Sequence, residues 1–349
     1  MTDQTTFPHP ENSIALMPKL DGLGGPSSFQ RKLIQGLKEK GIQTHFNPFD
    51  PEVRSILVIG GTKNIQTIWK ARRKNIHIVQ RLNGMNWIHR KKRTGLKHYL
   101  RSEYGNFILS TIRRHLSDAI IYQSQFARSW WQTTYGKSNV PSNVIYNGID
   151  LNTYLPTGTH QKPSDHIRIL LVEGHLGEGN ESGLLNAIQM VELLNQRYSQ
   201  PVELMVAGKV PEEIKTRFAS QTNIWLTWAG VIPREEIPTL DRSAHLLFSA
   251  DLNAACPNSV IEALACGLPV VAFSTGSLPE ILENDAGRTA PYGSNYWELE
   301  PPDLNGLADA AMEILNNLDH FRRKARDQAV KRFSLDFMVA EYLKILLPK

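Results

Sequence analysis

The chain has 349 residues, of which 41% are hydrophobic and 21% charged, and its formal net charge is +5. This excludes a disordered or fibrous chain, predicts about two globular domains, and leaves no apolar run near the ~18 residues of a membrane span. The positive balance favours polyanionic partners (phosphorylated ligands, an anionic membrane surface or nucleic acid) without choosing among them.

The opening stretch, MTDQTTFPHPENS, lacks the basic and apolar regions of a signal peptide, so a cytoplasmic location is expected. SIALMPKL then reads as a strand, the glycine turn DGLGGPSSF follows, and a helix is predicted over residues 28–40. SILVIGG and IHIVQRLNG read as strands ending in turns, and DAIIYQS and NVIYNGI complete the first set. Leu96, Leu100, Phe107, Ile108 and Ile112 recur at helical spacing within 95–116. LPTGTHQKPSD, at 155–165, has linker composition. A second series follows: strand IRILLVEG, helix ESGLLNAIQMVELLNQRY, strand VELMVAG, short helix IPREEIPTLDRSA, strand HLLFSA, helix NSVIEALA and strand PVVAFST. The tail from residue 304 is helical and broken near RFSLD. Strands alternating with helices indicate α/β layers on parallel sheets. The expected division is 1–160, 161–325 and a final helical segment 326–349.

Two such domains on one linker imply a cleft, and open parallel sheets bind ligands beyond the carboxyl ends of their strands. Turns at those ends therefore supply the candidates. Gly24 and Gly25 lead into a helix N-terminus, which suits a phosphate or sugar as well as an ordinary strand–helix turn. Arg81, Asn83 and Asn86 end a strand and suit phosphate and sugar hydroxyls, or a polar turn. In NSVIEALACGLPVVAFSTGSLP, Asn258 or Ser259 is expected as helix N-cap, with Glu262 in the first turn. A carboxylate there is either favoured by the helix dipole or accepts hydrogen bonds from a vicinal diol such as a ribose.

Arg90, Lys91, Lys92 and Arg93, in HRKKRTGLKHYLR, read as a solvated face, a membrane-surface patch or a nucleic-acid patch. No nucleic-acid motif accompanies them, so no nucleic acid is expected. The histidines form no metal-ligand spacing and no protein-bound metal is expected. Cys256 and Cys266 read as small buried residues, and Trp69, Trp130 and Trp131 as packing residues.

CPNSVIEALACGLPVVAFSTGSLPEIL closely resembles the donor-site segment of retaining, nucleotide-sugar-dependent glycosyltransferases of the GT-B fold, the glycosyl transferases group 1 of carbohydrate-enzyme family four. GLGGPSSF, YQSQFAR, VIYNGIDLNTYLP, LLVEGHLGEGNESGLLNAI and LMVAGK are similar to other parts of that family, in the same order. The resemblance implies two facing Rossmann-like domains with a central cleft, the final helix returning to the first domain. It implies transfer of a glycosyl residue from a nucleotide sugar, a substrate with no further cofactor, to a carbohydrate or lipid-linked acceptor. Retention by front-face attack, assisted by the leaving phosphate, is the implied course. Glu262 would hold the ribose hydroxyls, and the turn at Asn258 and Ser259 would approach the sugar and phosphates through backbone amides. Gly24 and Gly25 would lie beside the diphosphate and acceptor. A lipid-linked acceptor would place the chain peripherally on the inner face of the membrane.

Two departures from the family stand out. Ala254 occupies the position eight before Glu262, where many relatives carry a carboxylate, and Asp251 is the nearest acid. Relatives also place an arginine and a lysine after the first strand of the second domain. Here His175 takes the arginine position, and Asn180 and Glu181 stand where the lysine is expected. Lys209, after the next strand, is the nearest basic residue, and Lys209 and His175 are the candidates for stabilising the departing diphosphate. The alternative is a non-catalytic relative that binds a nucleotide sugar or glycan.

Overall fold

The computed structural model describes residues 13–348, apart from Leu23, Thr94 and residues 177–180. The chain forms two compact units, Met1–Gly148 with Leu335–Lys349, and Ile149–Ser334. Each is built on a six-stranded sheet.

The first unit contains β1 (Ser13–Met17), α1 (Gly25–Glu39), β2 (Gln43–His45), β3 (Val53–Ile59), α2 (Ile65–Arg73), β4 (His77–Leu82), α3 (Leu96–Thr111), β5 (Ala119–Tyr122), α4 (Gln125–Tyr135) and β6 (Ser142–Val144). Its sheet order is β2-β1-β3-β4-β5-β6, with every pair parallel. Alternate residues feed two cores, as the two-residue strand period requires. Ile14, Leu16, Leu57 and Ile59 pack with Phe29, Leu33 and Leu37 of α1. Ala15, Ile56, Val58 and Ile78 pack with Ile68 of α2 and Ile108 of α3 on the other face.

The second unit contains β7 (Ile167–His175), α5 (Ser182–Arg197), β8 (Val202–Lys209), α6 (Glu212–Gln221), β9 (Trp225–Gly230), α7 (Ile237–Arg242), β10 (Leu246–Ser249), α8 (Asn258–Ala265), β11 (Val270–Phe273), α9 (Leu278–Ile281), β12 (Gly287–Ala290), α10 (Leu304–Asn316) and α11 (Leu318–Arg332). Its sheet, β12-β11-β10-β7-β8-β9, is also parallel throughout. One face is covered by α5 and α10; α8 lies against β10 and β11. The final helix, α12 (Leu335–Leu346), packs on the first unit through Met338, Val339 and Tyr342.

The sequence suggested divisions near 160 and 325, whereas the units meet at Gly148/Ile149 and Ser334/Leu335. Two arginines account for the offset. Arg242 donates to the carbonyls of Leu155 and Thr159, and Arg326 to those of Leu151 and Tyr154. The linker-like segment is thereby held on the second unit, and Arg332, bonded to the Glu280 carbonyl, keeps the end of α11 there.

The expected helix over 95–116 is α3 followed by a π-turn over Ile112–Leu116. Ile108 and Ile112 face the core, but Leu96, Leu100 and Phe107 are exposed, so their helical spacing marks an outer apolar face instead of a buried one. Trp131 is buried and Trp69 is exposed beneath the Arg73 guanidinium, 4.3 Å from its ring. Both cysteines are buried and neither is in a disulfide.

Helix α12 lies close against α1 because position 36 is glycine. A Cβ there would sit 2.5 Å from Val339 Cγ2. Gly36→Val is expected to cost about 1–3 kcal/mol by overpacking, measured by denaturant unfolding, and Val339→Ala in the same chain to restore part of the loss.

Candidate active site

In the second unit the carboxyl ends of β7, β8, β10 and β11 form one edge. Gly208 brings β8 down onto β7 there: at φ +138° a Cβ would lie 1.8 Å from the Glu173 carbonyl oxygen, so no other residue fits. The register then pairs His175 with Lys209, and Leu176 N–H donates to the Lys209 carbonyl at 2.9 Å. Lys209 is exposed at the end of its strand and makes no ion pair among the described residues. The His175 side chain and Asn180 lie outside the described residues. Glu181 precedes α5 and is ion-paired with Arg217 of α6.

The loop after β10 is clasped by the turn after β11. Gly276, at φ +60°, would place a Cβ 2.6 Å from Ala254 N and 2.8 Å from its carbonyl oxygen, and Ser277 N–H donates to that carbonyl at 2.9 Å. Ala254 is buried in this clasp. The acids at this edge are Glu173, half-buried at the end of β7, and the exposed Asp251. Burial, followed by the negative charge of Asp251, pushes the Glu173 carboxyl up to about 7. Sequence reading passed over Glu173, although an acid closing an apolar strand is a visible signal.

The sequence placed Asn258 or Ser259 as N-cap and Glu262 in the first turn of its helix. The structure corrects both: Pro257, in extended conformation and with no capping side chain, is the cap residue. Asn258 is the first helical residue, so Glu262 falls in the second turn. The first backbone N–H groups of α8, at Asn258 and Ser259, have no partner within the helix, as at any helix start. Glu262 is half-buried, and its charge raises the proton affinity of Tyr154, Asp241 and Cys266. It therefore borders a buried group in which desolvation, and after it the Glu262 charge, hold the Asp241 carboxyl well above the usual carboxylate range.

In the first unit, Gly24 and Gly25 are exposed at the start of α1, and Ser28 N–H donates to the Gly24 carbonyl. Arg81 is turned inward. Its Nη1 donates to Asn83 Oδ1 (2.7 Å) and its Nη2 to Asn147 Oδ1 (2.8 Å), with the guanidinium 3.6 Å from the Phe29 ring centroid. Asn83 Oδ1 also accepts from Gln123, and its carbonyl from Trp131 Nε1. Arg81 and Asn83 thus brace the end of β4, whereas Asn86 is exposed. Arg90 holds Glu103 through two bonds of 2.5 and 2.8 Å, and Lys91, Lys92 and Arg93 are exposed. The fold also gathers His45, Asp50 and Glu52, a group invisible to spacing. His45 faces Asp50 through Nδ1 (3.2 Å) and Glu52 through Nε2 (3.9 Å), and one nitrogen or carboxylate oxygen from each of the three lies within 4.8 Å of the others.

The raised Glu173 pKa carries a sign. A carboxyl that titrates near 7 when folded and near its ordinary 4.5 when unfolded contributes stability that is complete below 4.5 and lost as pH rises through 7. Glu173→Gln should therefore be more stable than the parent at pH 8, by about 1 kcal/mol or more after discounting for partial exposure. The gain should vanish near pH 4, as thermal melts at the two pH values will report.

Residues 167–317 match the family described as Glycosyl transferases group 1. A phosphatidylinositol N-acetylglucosaminyltransferase subunit of Arabidopsis thaliana is 23% identical over 181 residues, covering 50% of this chain but only 37% of that protein. The chain thus spans well under half the length of that curated relative. Sucrose-phosphate synthase from Thermosynechococcus elongatus superposes with a TM-score of 0.74 at 16% identity, covering 96% of this chain and 98% of the other. HepE of Anabaena, in complex with UDP and glucose, superposes with a TM-score of 0.66 at 16% identity, covering 96% and 99%. Such likeness establishes architecture, and the architecture is GT-B. Residues 167–317 are accordingly a glycosyl transferases group 1 domain, carried in a chain of the GT-B fold.

Proposed function

We propose that the protein transfers a glycosyl residue from a nucleotide sugar to a carbohydrate or lipid-linked acceptor, with retention at the anomeric carbon. The observation that carries this reading is one strand edge of the second unit. There Lys209 is exposed without an ion pair among the described residues, α8 begins just beyond the end of β10, and Glu262 stands one turn along that helix. A nucleoside diphosphate needs each of these: a cation and a helix N-terminus for its phosphates, and a carboxylate for its ribose hydroxyls.

In the proposed step the acceptor hydroxyl oxygen bonds to the anomeric carbon on the face from which the diphosphate departs. The carbon–oxygen bond to phosphate breaks, and the hydroxyl proton passes to the departing phosphate oxygen. Lys209 meets the charge that develops on that oxygen, and water is not consumed. Ala254 favours the rival reading, a binding protein without turnover, since no carboxylate stands at that position. HepE, of the same fold, was solved with UDP and glucose, which supports a nucleotide sugar as donor. We also propose a peripheral position at the cytoplasmic face of an anionic membrane. Exposed Lys91, Lys92 and Arg93 adjoin the outer face of α3, where Leu96, Leu100, Tyr104 and Phe107 are exposed. No described helix is long and apolar enough to cross a membrane.

Glu262→Ala is expected to weaken nucleotide-sugar binding by about 1.5–3 kcal/mol per lost bond, read by thermal shift against UDP-, GDP- and ADP-linked sugars. Unchanged donor affinity would sink the ribose assignment. Lys209→Ala should lower turnover by ~100-fold or more while weakening donor binding less, because charge develops mainly in the transition state. Full turnover would remove Lys209 from the mechanism, and donor binding with no turnover by the parent would leave the binding-protein reading. Replacing Lys91, Lys92 and Arg93 by serine should abolish the preference for anionic over neutral vesicles, a preference that itself declines as salt rises.

A further inference from the structure

The first unit holds a cavity of about 660 Å³ between the turn after β3 and α3. Its polar lining comes from three separate stretches: Thr62 and Lys63 after β3, Asn86 after β4, and His98, Arg101 and Ser102 on α3. No carboxylate lines it among the described residues. Glu103, the acid nearest in sequence, is drawn away by Arg90 and by His89, whose Nε2 lies 2.7 Å from Glu103 Oε1. Lys63 and Arg101 are exposed and neither makes an ion pair among the described residues. Thr62 Oγ1 accepts from Asn64 N–H at 3.1 Å, which leaves its hydroxyl hydrogen to donate. Gly61 permits the close approach of α3: a Cβ there would sit 3.0 Å from Leu109 Cδ2.

We propose that this cavity binds the phosphate group of the acceptor. The inference rests on the reading that the chain transfers a sugar, and it names the acceptor class: a phosphate ester that also carries hydroxyl groups. Two cations and a histidine line the cavity together with hydroxyl and amide donors, the set that grips a phosphate through charge-assisted hydrogen bonds. The volume is that of an ordinary small-molecule site, large enough for a phosphorylated sugar or a lipid headgroup. These two sources share the chemistry. The outer apolar face of α3 adjoins the cavity face of the same helix, so a headgroup still attached to its chains can reach it.

The test is calorimetric titration of the full chain with glucose 6-phosphate against glucose, and with monomeric dihexanoylphosphatidic acid against dihexanoylglycerol. At least one phosphate probe is expected to bind about tenfold or more tightly than its uncharged counterpart, the worth of one charge-assisted hydrogen bond. The double variant Lys63→Ala/Arg101→Ala should lose that advantage, Arg101→Glu should lose it at an unchanged melting temperature, and Glu262→Ala should keep it. Binding of glucose 6-phosphate identifies a free phosphorylated sugar as the source; binding of the phosphatidic acid alone identifies a lipid headgroup. Equal affinity for charged and uncharged probes, or full phosphate binding by the double variant, overturns the proposal. UDP binding, measured in the same double variant, separates the two readings. If UDP still binds while phosphate preference was never present, the cavity assignment fails and the donor site stands.

Discussion

All pairing within the two sheets is parallel. A parallel sheet needs crossover helices, and those helices cover both of its faces. Strand interiors are therefore apolar on both sides, and a polar side chain that must meet a ligand can leave the sheet only at a strand end. Glu173, Lys209 and Asp251 obey this constraint in the second unit, and Lys63 and Asn86 obey it in the first. Buried Arg81 shows the cost of a charge just inside the edge: it takes two side-chain hydrogen bonds and an aromatic face to accommodate it.

Within that constraint, backbone proximity sets the local shape. Gly208 on the Glu173 carbonyl and Gly276 on Ala254 are contacts with no room for a Cβ. The first draws the ends of β7 and β8 together beside Lys209. The second clasps the turn after β11 onto the Ala254 backbone. Of the acids at this edge, Glu173 stands on the neighbouring strand β7 and Asp251 earlier in the loop, close enough for its charge to raise the Glu173 carboxyl.

How much could be read from the sequence varied with how completely each element is buried. The strands in the middle of the sheets are readable from their apolar runs, continuous in SILVIGG and broken only by Glu203 in VELMVAG. Strands β2, β9 and β12 were not recognised, and all three are sheet edges. An edge strand is paired on one side only and need not carry a full apolar run; β12 opens with Gly287 against the Val270 carbonyl. Helix α3 misled in the opposite direction, because apolar residues at helical spacing give the period but not the direction in which the face points. The cap of α8 was misplaced for a related reason: asparagine and serine are strong N-cap residues in general, but Pro257 already held the chain in the entering conformation.

Sequence by itself determined the α/β class, the two-part organisation, the carboxyl-end turns as the places to search, and the family of the donor segment. These follow from local patterns, namely the period of apolar residues, the position of glycines and the order of short motifs. Tertiary structure alone decided which of the candidate polar residues face outward. Arg81 at the end of β4 and Asn83 just after it are braced inward by Asn147, Gln123 and Trp131, while Asn86, three residues on, lines an open cavity. It also decided the proton affinity of Glu173 and the placing of Lys63 and Arg101 around one cavity. Such properties depend on desolvation and on neighbours distant in the chain, and no local pattern of residues encodes either one.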